Sequence, residues 1–595
     1  MQPVKPLPSP LRPPWAPMEV QTKGWLSSHL ALQASSKRLY ASIIRRAFCC
    51  LTLISGFLLC HQSLAAWPES IDQVFEVMVG VVGVRGIPTE EGGIIIVGDY
   101  LLDNYAERVQ RIDRNGNLLW NPEGNGIPLS PEAGGWRYET SGCKLLSDGR
   151  NGIYILYSLD DAHNGEPGVT LDNIYLQHFN SNGEREWEGN GLTLDTLHGD
   201  FGAKRTVDLL RFLDNQLAAF WVSYDDVGPR TYGQIIDREG NKLWNENGKL
   251  VHNDQASKCV ADDTNGFFLF SGDWIQYIDG NGDSVWDGDG IAKPFFTSWT
   301  TQLPDGNIMF CGCQNFRARN YFLNIIEREG RLRWEESRQL TDSPDSHRDG
   351  SIDLFYNNHV FFQVTDSRNG NEKAYGQMLD FEGSKLWGAS DVDLFPVWFA
   401  SYPATPIISG NYIYIKSIVF EDSAADADRI ENEKIQKVDV DGNLLFGETG
   451  LELNPPFHNN YRGPLMLDGS GGLIYPAFRS RRLCLWRIRP NGTFGAGQDN
   501  SVRDGPNLNV NRSQMIVYPN PTNSQVTIQA PCLGMDIRWE LFDASGRLIQ
   551  GAVTALENNP IQGLKLSLEG LNAGAYLFRV RNRYSSQSQF IILTK

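Results

Sequence analysis

One eleven-residue segment recurs along this 595-residue chain, and the recurrence limits what the chain can fold into more than any single motif does. The sequence QRIDRNGNLLW at 110–120 returns in altered form at 177–187, 234–244, 276–286, 324–334, 377–387 and 436–446, and a frayed eighth copy surrounds Asn491 and Gly492. Copies lie roughly 40 to 70 residues apart, which suits propeller blades with loop insertions and is too irregular for a tight solenoid.

Each copy predicts a β-hairpin. Alternating residues bring a strand to Asp113, the Asp-x-Asn-Gly tetrad suits a type I turn with glycine in the left-handed position, and the chain returns. Trp120, Trp187, Trp244, Trp286, Trp334 and Trp387, with Phe446 in the seventh copy, then fall at one place on the returning strand. A ring there buries about 150–250 Å² and can fill the seam between neighbouring sheets.

Ahead of each hairpin stands a glycine or asparagine turn followed by a β-rich run, as in GGIIIV at 92–97, NGIYIL at 151–156, NGFFLF at 265–270 and GGLIY at 471–475. A further short strand after the tryptophan, such as GLTL at 191–194, brings each unit to about four strands, the content of a propeller blade. The expectation is an all-β, eight-bladed propeller over 67–499, with seven blades as the alternative because the last copy is degenerate and the first lacks a clear leading strand. The 59 glycines and 16 tryptophans agree with an all-β habit of tight turns and large buried rings.

The repeat resembles a family of exported bacterial propellers whose blades carry a GG-aliphatic-W and Q-x-x-D-x-x-G-x-x-x-W pattern, and more distantly the tryptophan-docked quinoprotein propellers. The resemblance implies a fold rather than an activity.

After the polar stretch AGQDNSVRDGPNLNVN at 496–511 the composition changes, with a linker read at 500–513 and a new β-rich domain at 514–595. Three ordered motifs occur in it: IVYPNPT at 516–522, with Tyr518, Pro519, Asn520 and Pro521; LFDASGR at 541–547, with Asp543, Gly546 and Arg547; and LEGLNAGAY at 568–576, with Gly574 and Tyr576. A hydrophobic end closing on Lys595 follows. In this order they resemble the type A C-terminal sorting domain of type IX secretion cargo in Bacteroidota, a small immunoglobulin-like β-sandwich. The resemblance implies recognition by the outer-membrane secretion machinery, with the rest of the protein released or attached to the cell surface.

The N-terminal 1–66 read as a leader. Arg45 and Arg46 precede an apolar run at 47–60 and then Ser63, Leu64, Ala65 and Ala66, the zones of a secretory signal peptide spanning about 39–66. The apolar run is shorter than the ~20 residues that span a bilayer, so no transmembrane segment is expected in the mature protein.

With 53 basic against 71 acidic residues the net charge is −18, which repels phosphate backbones and argues against nucleic-acid partners. The nine cysteines form no C-x-x-C pair or metal-ligand set and read as small buried hydrophobes. Asp279, Asn281 and Asp283, like Asp439, Asp441 and Asn443, place oxygens at alternate positions as calcium loops do, but the ligand set is incomplete and the hairpin turn explains every copy. Calcium is therefore only a minor alternative, and no cofactor is expected.

The sequence contains no His-Glu-x-x-His, Gly-x-Ser-x-Gly, P-loop or dinucleotide fingerprint. A sialidase would need an arginine cluster at the propeller centre, and Arg317, Arg319, Arg368, Arg479, Arg481 and Arg482 read more simply as loop charges. The expected role is a secreted or surface-displayed monomer that binds or scaffolds a glycan or envelope partner. The loops that vary most between copies, 160–173, 225–232 and the acidic 421–434, are the first places to look. The alternative is a glycosidase or lyase acting on polysaccharide with paired carboxylates in the propeller channel.

Overall fold

The structure, a computed structural model, describes residues 67–496 and 516–593 apart from internal stretches, of which 132–142, 161–171 and 421–430 are the longest. The leader and signal peptide, the linker and Lys595 lie outside the described residues.

Eight antiparallel sheets follow one another along the chain, each of four main strands. Their first strands are Val81–Pro88, Lys144–Ser147, Lys204–Arg211, Lys258–Ala261, Phe296–Gln302, Gly350–Phe355, Ala400–Pro403 and Met466–Leu467, opening blades 1 to 8 in that order. In blades 1 to 7 the fourth strand comes from the same repeat. In blade 8 it is Glu76–Val79 from the start of the described chain, antiparallel to Arg482–Ile488 with Met78 opposite Leu483. The first strands of blades 8 and 1 also touch, so the sheets close into a ring in which each blade keeps only short edges. Blade 1 has its full four strands, including the leading strand the sequence does not make obvious.

The core is divided among the seams. Eight buried apolar clusters each straddle one pair of neighbouring blades, from Ile95, Trp120 and Tyr157 between blades 1 and 2 to Trp67, Ile94 and Phe478 between blades 8 and 1. The β-rich runs read from sequence form the second strands, among them Gly93–Tyr100, Ile153–Asp160 and Leu473–Arg479.

The repeat hairpin differs from expectation in one respect. After the Asp turn the chain makes a single isolated bridge, Ile112 to Leu118 in blade 1, and the tryptophan follows on a bend rather than on a strand. A buried amide accounts for the difference. Gln110, Gln234 and Gln377 accept from the N–H of the next residue and from the tryptophan N–H ten residues on, at 2.8–3.1 Å. The Gln234 amide also donates to the Asn245 carbonyl at 2.6 Å. Asn324 does the same work in blade 5. The side chain thus replaces the strand partner that the tryptophan backbone would otherwise need.

The tryptophans lie at the seams, Trp120 buried and the other five half-buried. Indole N–H groups of Trp120, Trp244, Trp286 and Trp387 donate to Ser181, Gly280, Arg328 and Val440, in each case the residue after the turn's first position in the next blade. The turn glycine beneath has no room for a side chain: a Cβ on Gly183 would stand 2.8 Å from Trp120, and one on Gly442 2.9 Å from Trp387. In blade 8 the equivalent positions hold Trp486 and Ala496 instead of glutamine and tryptophan. Trp67 supplies the missing indole, packed in one cluster with Ala496 and donating to the Arg114 carbonyl at 3.1 Å.

The C-terminal strands form two further sheets. One orders Ile516–Tyr518, Gln525–Ala530 and Ile561–Ser567; the other orders Leu548–Thr554, Ile537–Phe542, Gly574–Arg581 and Ser586–Leu593. Leu541, Leu568, Phe578 and Ile591 are buried, as a small β-sandwich requires.

Candidate functional site

Every repeat runs its strands in the same sense, so the propeller has two unlike rims. One carries the links from first to second strand and the Asp-x-x-Gly turns, and is nearly uniform. Asp113 accepts from the Asn115 and Asn117 N–H groups at 2.8 Å, and Asp237, Asp380 and Asp439 repeat the pattern. The turn glycines take φ between +76° and +94°, as type I turns closed by a left-handed residue need.

The other rim, here termed the open rim, carries the links from second to third strand and from each blade to the next. The three variable segments singled out from sequence leave from it. Asp160 pairs with Asp172, Asp225 with Gly228, and Phe420 with Glu431. The segment at 225–232 is shorter than expected, since Gly228–Ile236 is already a strand and only two residues separate it from Leu217–Asp225. Residues 161–171 and 421–430 lie outside the described part.

The first strands line the propeller axis, and their charge is opposite to that of the whole chain. They carry the basic residues Arg85, Lys144, Lys204, Arg205, Arg211 and Lys258, all in blades 1 to 4, against the two carboxylic residues Asp208 and Asp353. Three of the cations are locally matched: Arg85 with Asp99 at 3.3 Å, Lys204 with Asp195 at 3.1 Å, and Lys258 with Asp208 at 3.0 Å. Arg211 donates to the Ser147 carbonyl. Lys144 and Arg205 have no ion-pair partner among the described residues, and Arg205 is exposed. Burial and then the Asp208 carboxylate push the Cys259 thiol well above its ordinary range, against the ammonium groups of Lys258 and Lys144.

Blade 5 continues this wall with aromatic surface. On Phe296–Gln302 a bulge falls between Thr297 and Trp299, and Phe296 and Trp299 are left 41% and 37% exposed. Neither the inner cations nor these two rings have a sequence signal. They become visible only once the first strand of each blade is known to face the axis.

The arginines weighed from sequence do not gather there. Arg368 in blade 6 lies over Tyr375, 4.2 Å from the ring centre, and pairs with Asp391 at 2.7 Å and with Asp366. Arg479 and Arg482 face each other across the blade 8 hairpin, where Arg482 pairs with Glu76 at 2.7 Å. Arg317 and Arg319 lie outside the described residues. The Asp279 carboxylate is occupied by the N–H groups of Asn281 and Asp283, and no group of metal-binding side chains occurs among the described residues. Cys143, Cys259, Cys311 and Cys484 are buried, and Cys313 is partly buried.

In the C-terminal sheets Tyr518 ends the first strand and Gly574 opens Gly574–Arg581. Tyr576 is buried and donates its hydroxyl to the Asn572 carbonyl at 2.7 Å. Pro519, Asn520, Pro521, Asp543, Gly546 and Arg547 lie outside the described residues.

Comparison with known proteins separates the two parts of the chain. No curated protein matches it significantly. Among solved structures it is similar to an ulvan-type polysaccharide lyase, at 10% identity and a TM-score of 0.35 over 71% of this chain and 97% of that one. It is also similar to PorZ, a surface component of the type IX secretion system of Porphyromonas gingivalis, at 13% identity and a TM-score of 0.22 over 87% of this chain and 75% of that one. A TolB-like protein from Agrobacterium tumefaciens is similar at 12% identity and a TM-score of 0.26, over 48% of this chain and 91% of that one. These likenesses concern the fold. Residues 516–594 match the model of the secretion system C-terminal sorting domain. The chain is thus an eight-bladed propeller exported through the outer membrane under a type IX sorting domain, for secretion or attachment at the cell surface.

Proposed function

We propose that the exported propeller is a binding module that holds a glycan, or another envelope component presenting one, at its open rim. The observation that carries this reading is the asymmetry of the rims. One is a set of repeated turns with their carboxylates engaged, while the other gathers the dissimilar connections and opens onto an inner wall of exposed cations and aromatic rings. Binding loops held on a rigid scaffold commonly take this form. An activity that cleaves polysaccharide would use the same wall. Of its two aspartates, Asp208 is held by Lys258 and by the Cys259 N–H at 2.7 Å, which favours holding a ligand over cleaving one.

The test is a glycan array probed with the processed, secreted protein in two labelled forms. A bulky group on Val227→Cys, at the tip of the blade 3 hairpin on the open rim, should abolish capture, and the same group on Asn115→Cys, on the turn rim, should leave it unchanged. Equal capture by both forms would overturn the assignment of the rim.

A further inference from the structure

The proposed glycan site has a charge of its own, and we infer that it takes an acidic polysaccharide, one whose carboxylate or sulfate groups meet Lys144 and Arg205 while a sugar face lies on Trp299. The inference rests on the glycan-binding reading and narrows it. In a chain of net charge −18, six cationic residues on the inner strands face two carboxylic ones. Neighbouring carboxylates match three of the six, Arg85, Lys204 and Lys258.

Of the remaining three, Arg211 lies at the far end of its strand with its guanidinium on the Ser147 carbonyl. Lys144 and Arg205 lie on adjacent inner strands, Lys144 opposite Leu156 midway along its blade and Arg205 opposite Val222 nearer the open rim. A concave wall with an excess of one sign concentrates counter-ions, because its low-dielectric sides focus the field. Arg205 adds a planar fork suited to two oxygens of one carboxylate or sulfate, and Lys144 adds a point charge.

The aromatic part is equally specific. Phe296 and Trp299 lie on the next inner strand beyond Lys258, and both keep more than a third of their surface open although other rings of that blade, Phe295 and Phe310, are buried. An exposed indole on the same inner wall offers an apolar platform to the C–H face of a pyranose while cations of other blades take acid groups along the polymer. A neutral glycan would use the platform and leave both cations without a counter-charge.

The experiment measures binding of polygalacturonate, dextran sulfate and neutral dextran to the processed full-length protein by calorimetry, at low salt and at about 0.3 M salt. One or both polyanions should bind, more weakly at the higher salt, and neutral dextran should not; the two polyanions distinguish carboxylate from sulfate. Lys144→Met with Arg205→Leu should weaken polyanion binding about tenfold or more, and Trp299→Ala should weaken it separately, both with an unchanged melting temperature.

Neutral dextran binding as well as the polyanions, or an unchanged affinity in the double variant, would overturn the acidic assignment and leave the glycan reading standing. An oligonucleotide binding as tightly as the polysaccharides would overturn it too, by showing that charge alone is recognised. Failure of all three polysaccharides together with a blank glycan array would remove both readings.

Discussion

The ammonium group of Lys437 donates to the carbonyl of Pro490 at 2.8 Å and lies 3.7 Å from the centre of the Tyr412 ring. At the corresponding place in blades 1, 3, 4 and 6 the donor is the indole N–H of the tryptophan. Blade 7 has Phe446 there, which packs on Gly492 and can donate nothing. Lys437→Met should therefore destabilise the propeller by about 1–2 kcal/mol. Adding Phe446→Trp should recover part of that loss, a coupling that urea denaturation of the two single variants and the double variant would measure.

Trp67 closes the eighth seam as the other tryptophans close theirs, with 1% of its surface exposed. Trp67→Ala removes a large buried ring and leaves a cavity, so a loss of about 3–5 kcal/mol is expected, comparable with Trp120→Ala. Because the ring is joined at that seam, limited proteolysis of the Trp67 variant should cut first between blades 8 and 1. Cutting elsewhere would show that the closure does not depend on this indole.

The glutamine at the start of six of the repeats is a buried clamp. Gln234→Leu would leave the Ile235 and Trp244 N–H groups and the Asn245 carbonyl without their partner, at a cost on the order of 2–3 kcal/mol. Gln234→Asn should cost less, since Asn324 performs the same task in blade 5. Thermal melts of the two variants test the order.

Lys293 follows the last strand of blade 4 and donates to the Ser271 carbonyl. Burial lowers its pKa from 10.5 to about 8, although Asp273 and Asp254 oppose the shift. The native state therefore releases this proton before the unfolded chain does. Protein stability gains from this group as pH rises from about 8 toward its unfolded value near 10.4 and is penalised by it below pH 8. The difference in unfolding free energy between the wild type and Lys293→Met should change across that window and be flat below it.

Removal of 514–595 deletes the sorting domain but none of the propeller strands. The shortened protein should fold, bind as before, and remain inside the outer membrane, as immunoblots of cell fractions and medium would show. Its appearance in the medium at the normal level would contradict the sorting role.

The parts legible in the sequence were those written locally and repeatedly. Asp113 and Gly116 lie three residues apart and specify one turn whatever surrounds them, so eight copies announce eight blades. The three motifs of the C-terminal domain are local in the same way. Trp67 was not legible as a member of the tryptophan set, because its place in the ring is fixed by pairing with strands more than 400 residues away in the chain. Gln110 was visible as a repeated letter, but its role depends on backbone groups on both sides of the turn. Lys144, Arg205 and Trp299 belong to three different blades, and only the radial order of the strands brings those residues to one wall.

The pairing of Glu76–Val79 with Arg482–Ile488 also fixes when the propeller can be complete. The earliest described strand must wait for its partner until seven blades and most of the eighth have been made, and contacts so distant in sequence form slowly. The sorting domain begins soon after the last of those strands. A chain that presents its export signal is therefore one in which the partner of the closing strand already exists, so transport and ring closure become possible at nearly the same point in the life of the molecule.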